Sequence, residues 1–221
     1  MYKIKCYLLT IVLLFTMGLW GCGLQSNSET ADNAIDYGEF VDGVYSNTFF
    51  NLAIAIPEDW HVLDAEAKSQ LMRQGGKLMA GNNRNLKAAL KAADLDSLNL
   101  LAAYEHAPGT PVTSNPGIMI IAEKIRHMPG IKRGSDYHYH TKKMMRMSNI
   151  NVAFPEEIYE TSIDDVSFDV MEMQINMGHM SIMQKQYVTI MNGYALLVGL
   201  TYQDGDGLYQ LEDILLTMSL T

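Results

Sequence analysis

The chain has 221 residues, a formal net charge of −9 and a hydrophobic content of 48%. This length and composition suffice for one folded domain with a sizeable core. The excess of acidic residues argues against nucleic acid as a partner and against electrostatic binding to anionic lipid head groups.

The first 22 residues have the layout of a secretory signal. Lys3 and Lys5 precede an apolar run over residues 7–20, and the run closes at residues 19–22, LWGC. A basic start, an apolar middle and a small residue at the cleavage site are the parts of such a signal. The final Leu-x-Gly-Cys resembles the lipobox of bacterial lipoproteins. That resemblance implies a diacylglycerol thioether on Cys22, cleavage before it, and acylation of the new amino terminus.

Two alternatives stay open for this segment, an uncleaved membrane helix and ordinary secretion. Residues 6–24 form an uncharged stretch of 19 residues, close to the roughly 20 that span a bilayer. Glycines interrupt the end of this stretch, and its strongly apolar part has the length of a signal h-region. Cleavage before Cys22 also discards Cys6, the only other cysteine of the sequence, and acylation occupies the Cys22 thiol, so the mature protein would contain no disulfide.

The predicted organisation has three parts. Residues 1–21 form a lipoprotein signal peptide, residues 22–38 carry the acylated Cys22 and a flexible tether, and residues 39–221 form a single globular domain. The tether is polar and lacks a hydrophobic period. Removing residues 1–21 removes two lysines and no acid, so the net charge moves from −9 to −11. Such an acidic protein depends on its acyl chains for membrane attachment.

Hydrophobic periodicity predicts both strands and helices in the domain. Strands are predicted over residues 43–49, 51–56, 98–105, 117–124, 157–161, 166–175, 180–191 and 194–202. Helices are predicted over residues 64–79, 85–93 and 135–148, and from about residue 208 onward. Gly75 and Gly76 are a predicted break in the first helix, because each glycine costs about 1 kcal/mol there. Trp60 is a predicted buried aromatic, and Asn192 with Gly193 is a strong hairpin signal.

The strand over residues 194–202 is apolar at both alternating sets of positions. Both of its faces must therefore be covered. Strands joined by tight hairpins run antiparallel. These patterns predict an α+β fold, in which an antiparallel sheet of about six to seven strands carries helices on both faces.

Two stretches resemble PsbP-like domains. Residues 45–60, YSNTFFNLAIAIPEDW, resemble their opening strands and Pro-x-x-Trp corner. Residues 192–220, with an NGY hairpin, a long apolar strand and a closing helix, resemble their C-terminal end. Lipid-anchored relatives of this fold include the DcrB-type lipoproteins. The resemblance implies a three-layer α/β/α sandwich and a non-enzymatic role as an extrinsic subunit, assembly factor or binding module. It assigns no ligand residue by position.

His138 and His140 lie in a Tyr-His-Tyr-His stretch. On a strand the two rings would share a face and could bind a metal. On the predicted helix, residues two apart point about 200° apart. No Cys or Glu/His grouping at zinc spacing is nearby. The pattern therefore favours ordinary surface or half-buried histidines over a metal site.

Methionine is unusually frequent, with 16 in the chain and eight of them between Met144 and Met183. The favoured interpretation is core filling, because Met171, Met173 and Met177 alternate as a buried strand face would and Met144 lies on the inward side of its helix. An adaptable binding surface and a copper-binding thioether patch are the alternatives.

Two acidic pairs are interpreted as turns. Asp204 and Asp206 lack the further carboxylates and closing Glu of a calcium loop, so a polar turn before a helix explains them better. Asp164 and Asp165 are predicted to form a hairpin turn. Gly-x-Ser-x-Gly, His-Glu-x-x-His and phosphate-binding glycine loops are absent from the sequence.

The leading functional prediction is a lipid-anchored, non-catalytic binding or assembly module on the extracytoplasmic side of a cell membrane or outer membrane. Its expected partners are the membrane, through the acyl chains, and another envelope protein or a small ligand. No cofactor, metal ion or catalytic residue is predicted, and Cys22 is the one assigned site. Two alternatives are an envelope hydrolase with a site of scattered His, Asp and Ser, and a metal-handling lipoprotein using His138, His140 and the methionines.

Overall fold

The computed structural model describes residues 36–178 and 180–220 of the chain. These residues contain eleven strands and four helices. Cys22 and the predicted signal peptide lie outside these residues. The strands are β1 (Glu39–Val41), β2 (Val44–Asn47), β3 (Leu52–Ala55), β4 (His61–Val62), β5 (Ser97–Tyr104), β6 (Gly117–Lys124), β7 (Asn151–Ala153), β8 (Tyr159–Ile163), β9 (Val166–Met177), β10 (Met180–Met191) and β11 (Tyr194–Tyr202). The helices are α1 (Ala65–Ala80), α2 (Arg84–Asp96), α3 (Gly134–Met147) and α4 (Gly205–Leu215).

The strands form two antiparallel sheets. The large sheet has eight strands in the order β4-β5-β6-β11-β10-β9-β7, with β8 also paired to β9. The small sheet has the order β1-β2-β3. Asn192 and Gly193 join β10 to β11 with φ values of 51° and 81°, the positive angles that a type I′ hairpin turn requires. The predicted α+β class and this hairpin are confirmed.

The large sheet has more strands than expected because β4 and β7 contain two and three residues, too few to show alternation. The first two predicted strands, over residues 43–49 and 51–56, do not join this sheet. They pair with each other, and β1 adds to the free edge of β2. Pro57 and Trp60 then form the turn that leads the chain into β4, with the Trp60 amide donating to the Pro57 carbonyl at 3.0 Å.

Helices cover both faces of the large sheet, as predicted. In β9, Phe168 and Val170 belong to the main core together with Leu211 of α4. Met171, which points to the opposite face because it is the next residue along the strand, packs in a second core with Met145 of α3. The main core also contains Trp60, whose predicted burial is confirmed.

The predicted break in the first helix is wrong, because α1 runs unbroken through Gly75 and Gly76. Asp64 caps its start by accepting a hydrogen bond from the Ala67 amide at 2.8 Å. The Gly81 amide closes its end by donating to the Lys77 carbonyl at 3.0 Å. Capping at both ends offsets the glycine cost of about 1 kcal/mol per residue.

The start of α3 lies directly against the sheet. A Cβ atom at Gly134 would collide with the carbonyl oxygen of Val188 on β10. The Asp136 carboxylate accepts hydrogen bonds from the Lys132 and Arg133 amides at 3.0 and 3.2 Å, which holds the preceding turn in place. A glycine and a local cap therefore set where α3, and every side chain on it, is positioned.

Candidate functional site

The second half of α3 forms one wall of a surface cleft of about 380 Å³. Six residues line this α3 cleft: Tyr139, Lys142, Lys143, Arg146, Met147 and Glu157. The lining thus contains three cationic side chains and one carboxylate in a chain whose overall charge is −9. The cleft is a local concentration of positive charge on an acidic protein.

Lys142 is the unusual member of this group, because only 9% of its surface is exposed. Its ammonium lies 5.1 Å from the ring centroid of Phe154. Within residues 36–178 and 180–220 it makes no ion pair and no hydrogen bond, in contrast to Lys68 and Lys185, which do. The Lys142 ammonium is nevertheless not among the buried polar atoms that lack a partner, so the aliphatic stem is buried while the charged end still contacts water in the cleft. The Phe154 ring adds at most about 2 kcal/mol of cation–π attraction.

Arg146 lies one turn further along α3, with its guanidinium carbon 5.9 Å from the same ring centroid. Lys142 and Arg146 are four residues apart and therefore share one helix face. Arg146 stands in the last turn, where the helix dipole favours a positive charge. This effect fades beyond the last turn and gives no reason for the burial of Lys142.

Glu157 lines the same cleft but does not neutralise it. Its carboxylate makes no ion pair with Lys142, Lys143 or Arg146 among the described contacts shorter than 4.0 Å. The three cations therefore keep a net positive field in the α3 cleft. An anionic group of an incoming molecule could reach all three from the solvent side.

The two predicted histidines lie on α3 but on different sides of it. His138 is fully buried, and its Nε2 lies 2.9 Å from the Asp169 carbonyl oxygen, whereas His140 is exposed. Since a carbonyl only accepts, Nε2 carries the proton and Nδ1, which has no partner in the described structure, keeps the lone pair. Burial lowers the pKa of His138 and keeps it neutral. The helical prediction that the rings point apart is confirmed.

The described residues contain no group of three or more His, Cys, Asp or Glu placed to hold a metal ion. His138 is enclosed beneath α3 and His140 faces solvent on the other side of the helix. The structure does not bring this pair together as ligands.

A hydrogen bond between Tyr137 and the buried Glu123 connects α3 to the large sheet. The Tyr137 hydroxyl donates to the Glu123 carboxylate of β6 at 2.5 Å. Burial raises the pKa of Glu123, and the hydrogen bond from Tyr137 opposes this shift. Burial and the nearby Glu123 also raise the pKa of Tyr137. Neither residue lines the α3 cleft, so this pair supports α3 from below.

The methionine prediction is confirmed in part. Met171 and Met173 are fully buried and form the second core with Met145. Met177 is 41% exposed, so its predicted burial is wrong: it is the last residue of β9 and lies outside the second core. Met144 is half-buried, and the neighbouring Met145 is the residue that α3 buries.

The acidic pairs are structural, as predicted. The Asp204 carboxylate accepts a hydrogen bond from the Gly207 amide at 2.8 Å and caps α4. Asp164 and Asp165 have φ values of 46° and 62° in the turn between β8 and β9. The Asp164 carboxylate also accepts from the Leu220 amide at 2.7 Å, which fastens the C-terminal residues to this turn.

A second cleft, of about 480 Å³, lies beside α4. Its lining includes Asp59, Glu105 and Asp213 around the apolar surface of Trp60 and Ile214, and it contains no cationic side chain. Three carboxylates without a cation repel anions. The two clefts therefore differ in the sign of the charges that line them, and the α3 cleft is the cationic one.

The sequence analysis did not identify the α3 cleft. The spacing of Lys142 and Arg146 could have indicated a cationic helix face. The burial of Lys142 could not have been found in this way, because Phe154 reaches it from outside the helix. Among the described residues no helix is both long and apolar enough to cross a membrane.

No protein-family model and no curated protein matches this sequence. Similar solved structures include cyanobacterial PsbP (CyanoP) from Synechocystis sp. PCC 6803, with 11% identity, a TM-score of 0.45, and coverage of 92% of this chain and 99% of that chain. Mycobacterium tuberculosis LpqN, described as involved in cell envelope biogenesis, has 13% identity and a TM-score of 0.38 over 77% of this chain and 83% of its own. A Bacteroides thetaiotaomicron VPI-5482 protein has 12% identity and a TM-score of 0.39 over 77% of this chain and 45% of its own, so this chain spans less than half of it. PsbP, whose domain the sequence resembles, is thus among the structures to which this chain is similar.

Proposed function

We propose that this protein is an extracytoplasmic lipoprotein, anchored through acylated Cys22, whose domain is a non-catalytic module that binds an anionic group in the α3 cleft. The anchor is inferred from the lipobox-like residues 19–22. The binding role is inferred from the position of Lys142. The anionic group belongs to a small ligand or to the surface of another envelope protein.

The observation that carries the proposal is the group of three cations that line the α3 cleft, in which the stem of Lys142 is buried and, among the described residues, no carboxylate lies within 4.0 Å of its ammonium. An anion in the cleft would pair with this accessible ammonium through charge-assisted hydrogen bonds, which are about twice as strong as neutral ones. Lys142 and Lys143 act as point charges, and the planar guanidinium of Arg146 can hold two oxygens of one phosphate or carboxylate.

The lining of the α3 cleft favours binding over hydrolysis. It offers cations, one carboxylate, and the exposed Tyr139 and Met147, but no serine, cysteine or histidine. A hydrolase normally needs a nucleophile and a base within hydrogen-bond distance of each other. The apolar flanks at Tyr139 and Met147 suit a ligand that carries a hydrophobic part beside its anionic group.

Ligand binding is tested by thermal unfolding of the full protein in detergent with inorganic phosphate, at constant ionic strength kept with sodium chloride. Saturating ligand raises the melting temperature of a protein that binds it in the folded state. We expect Lys142→Met to abolish this rise. Lys91→Met, at an exposed position on α2, is the matched control and retains it. An equal rise in Lys142→Met would refute the binding site.

The anchor is tested separately by mass spectrometry of the protein purified from membranes. We expect a chain that begins at Cys22 and carries acyl groups, and a Cys22→Ser variant that moves to the soluble fraction. An unmodified polypeptide that retains Met1 and stays in the membrane would contradict the anchor.

A further inference from the structure

Five large hydrophobic side chains are exposed within the first 14 described residues. We call them the β1–β2 patch: Tyr37, Phe40, Val41, Val44 and Phe49, with exposed fractions between 41% and 59%. Val41 and Val44 are cross-strand partners beside the β1–β2 turn, whereas Phe40 pairs with Tyr45 and points to the opposite face of the hairpin. The patch therefore surrounds the edge strand β1 and does not lie on one face of the small sheet. Scattered exposed hydrophobic residues are common, but a group of them around one edge strand marks an interaction surface.

The chain that carries this patch is held firmly to the domain from its first described residue. The Asp36 carboxylate accepts hydrogen bonds from the amides of Gly38, Thr48 and Phe49 at 2.8, 3.0 and 3.2 Å. The Tyr45 hydroxyl donates to the Tyr37 carbonyl at 2.8 Å. These bonds tie residues 36–38, which the sequence analysis placed in the tether, to the small sheet.

The position of Phe49 is fixed by contacts with neighbouring aromatic residues and by a hydrogen bond. Its ring packs edge-on against Phe50 at 4.8 Å and Tyr194 at 5.7 Å between centroids. The Asn192 side chain donates to the Phe49 carbonyl at 2.7 Å. Phe49 nevertheless remains 45% exposed, so the packing supports the side chain without covering it.

We propose that the β1–β2 patch lies on the lipid surface and thereby orients the domain relative to the membrane. This inference rests on the proposed anchor at Cys22. Asp36 follows Cys22 by 14 residues, a length that spans at most about 50 Å when fully extended. The acyl chains therefore keep the patch within reach of the bilayer, and the short connection raises its effective concentration there.

The charges near the patch determine how it binds. Residues 36–60 contain five acidic residues and no Lys or Arg, so attraction to anionic head groups does not contribute. Aromatic and aliphatic side chains enter the interface through their apolar surface instead. Contact should consequently occur on uncharged phosphatidylcholine and should depend little on salt concentration.

The test introduces a tryptophan into the patch of the mature acylated protein, which begins at Cys22. The protein is then reconstituted in phosphatidylcholine vesicles whose acyl chains carry bromine. Bromine quenches tryptophan that enters the bilayer. Phe40→Trp and Tyr37→Trp are compared with Leu95→Trp, which is at an exposed apolar position on α2. Helix α2 packs mainly against α1 and β6. Trp60 contributes a buried background that is subtracted with the unsubstituted protein.

We expect the two patch tryptophans to lose roughly twofold more fluorescence than Leu95→Trp, since interfacial side chains reach about 5–10 Å into the lipid boundary. The loss should persist when the salt concentration is raised. Equal quenching at all three positions would overturn the proposal, as would none at the patch. Sedimentation of the same samples in detergent tests whether a second copy of the chain covers the patch instead of lipid. A dimer that dissociates on the Phe40→Asp substitution would also overturn the proposal.

Mass spectrometry of the same samples separates this inference from the anchor. Acylated Cys22 with no quenching at the patch refutes the inference and leaves the anchor intact. If Cys22 is unmodified, the anchor fails, and the thiol of a Cys6→Ser chain is coupled to a maleimide lipid to restore the same attachment. Quenching is then measured at the same three positions with the same criteria.

Discussion

Two largely buried lysines lie on opposite faces of the large sheet, and they differ in what surrounds the charge. Lys185 of β10 lies 3.1 Å from Glu212 of α4 and 3.9 Å from Glu172 of β9. Lys142 of α3 has no carboxylate within ion-pair distance in the described structure. Each ammonium also lies near an aromatic ring, 5.7 Å from Tyr187 for Lys185 and 5.1 Å from Phe154 for Lys142.

Because both lysines have an aromatic neighbour, the carboxylates are the difference between them. The charge of Lys185 is balanced inside the fold, where it joins β9, β10 and α4. Tyr159 extends this group by donating to Glu172 at 2.9 Å. The Lys142 ammonium has no carboxylate within 4.0 Å among the described residues and faces the α3 cleft. We infer that Lys185 stabilises the domain and that Lys142 serves a molecule from outside.

The largest expected change in the free energy of unfolding concerns the contact between the start of α3 and β10. The position of Lys142 depends on this contact because Lys142 lies on α3. Gly134→Ala puts a Cβ into the Val188 carbonyl and should cost about 3 kcal/mol, the upper range of overpacking. Gly75→Ala on α1, where a Cβ meets nothing within 4 Å, should instead stabilise by about 1 kcal/mol. Urea unfolding measures both, and similar values for the two variants would contradict the close approach of α3 to β10.

The next largest effect compares the lysines directly. Lys185→Met leaves Glu172 and Glu212 without their cation and should lower the free energy of unfolding by about 2 kcal/mol, since the pair is only partly buried. Lys142→Met removes an unbalanced charge and should leave the free energy unchanged or raise it. Urea unfolding of both variants decides this. Equal destabilisation would show that Lys142 is structural.

A smaller effect is expected at the pair beneath α3. Tyr137→Phe leaves the buried Glu123 carboxylate without its donor and should cost about 1.5 kcal/mol at pH 7. The cost should shrink at low pH, because burial already raises the pKa of Glu123 and its protonated form needs the donor less. Tyr139→Phe, an exposed neighbour on α3, should change the free energy of unfolding little. A pH-independent cost would contradict this assignment.

The smallest effect is a pH dependence from His138. Burial lowers its pKa below the ordinary value of 6.5. Stability from the neutral ring is complete above pH 6.5 and is lost as the pH falls towards the folded-state pKa, because the unfolded chain binds a proton first. The loss approaches about 1.4 kcal/mol per pH unit. His138→Gln should remove this slope between pH 7 and pH 5.5, whereas His140→Gln, at an exposed position, should keep it.

Features that depend on a few neighbouring residues were predicted well. The hairpin at Asn192 and Gly193 requires only positive φ angles, which these residues adopt readily. The predicted helix over residues 135–148 and the observed α3 (Gly134–Met147) differ by one residue at each end. Burial of Met171 and Met173 followed from alternation along one strand. In each case the information is contained within one element.

Features that depend on pairing between distant elements were not predicted. Both β1 and the separate small sheet depend on which strands come together, and β1 is too short to show a pattern of its own. The continuity of α1 through Gly75 and Gly76 depended on capping at both ends as well as on local preference. Exposure of Met177, the last residue of β9, depended on which elements pack over that end of the strand.

The sequence by itself determined the α+β class, the antiparallel pairing through tight turns and the expectation of a lipid anchor at Cys22, because these depend on local order along the chain. The tertiary structure alone decided which of two lysines has carboxylates beside it and which hydrophobic residues near the start of the domain stay exposed. The physical reason is that charge balance and burial are set by residues far apart in the chain. Phe154 meets Lys142, and Glu212 meets Lys185, only once the sheet and its helices have packed.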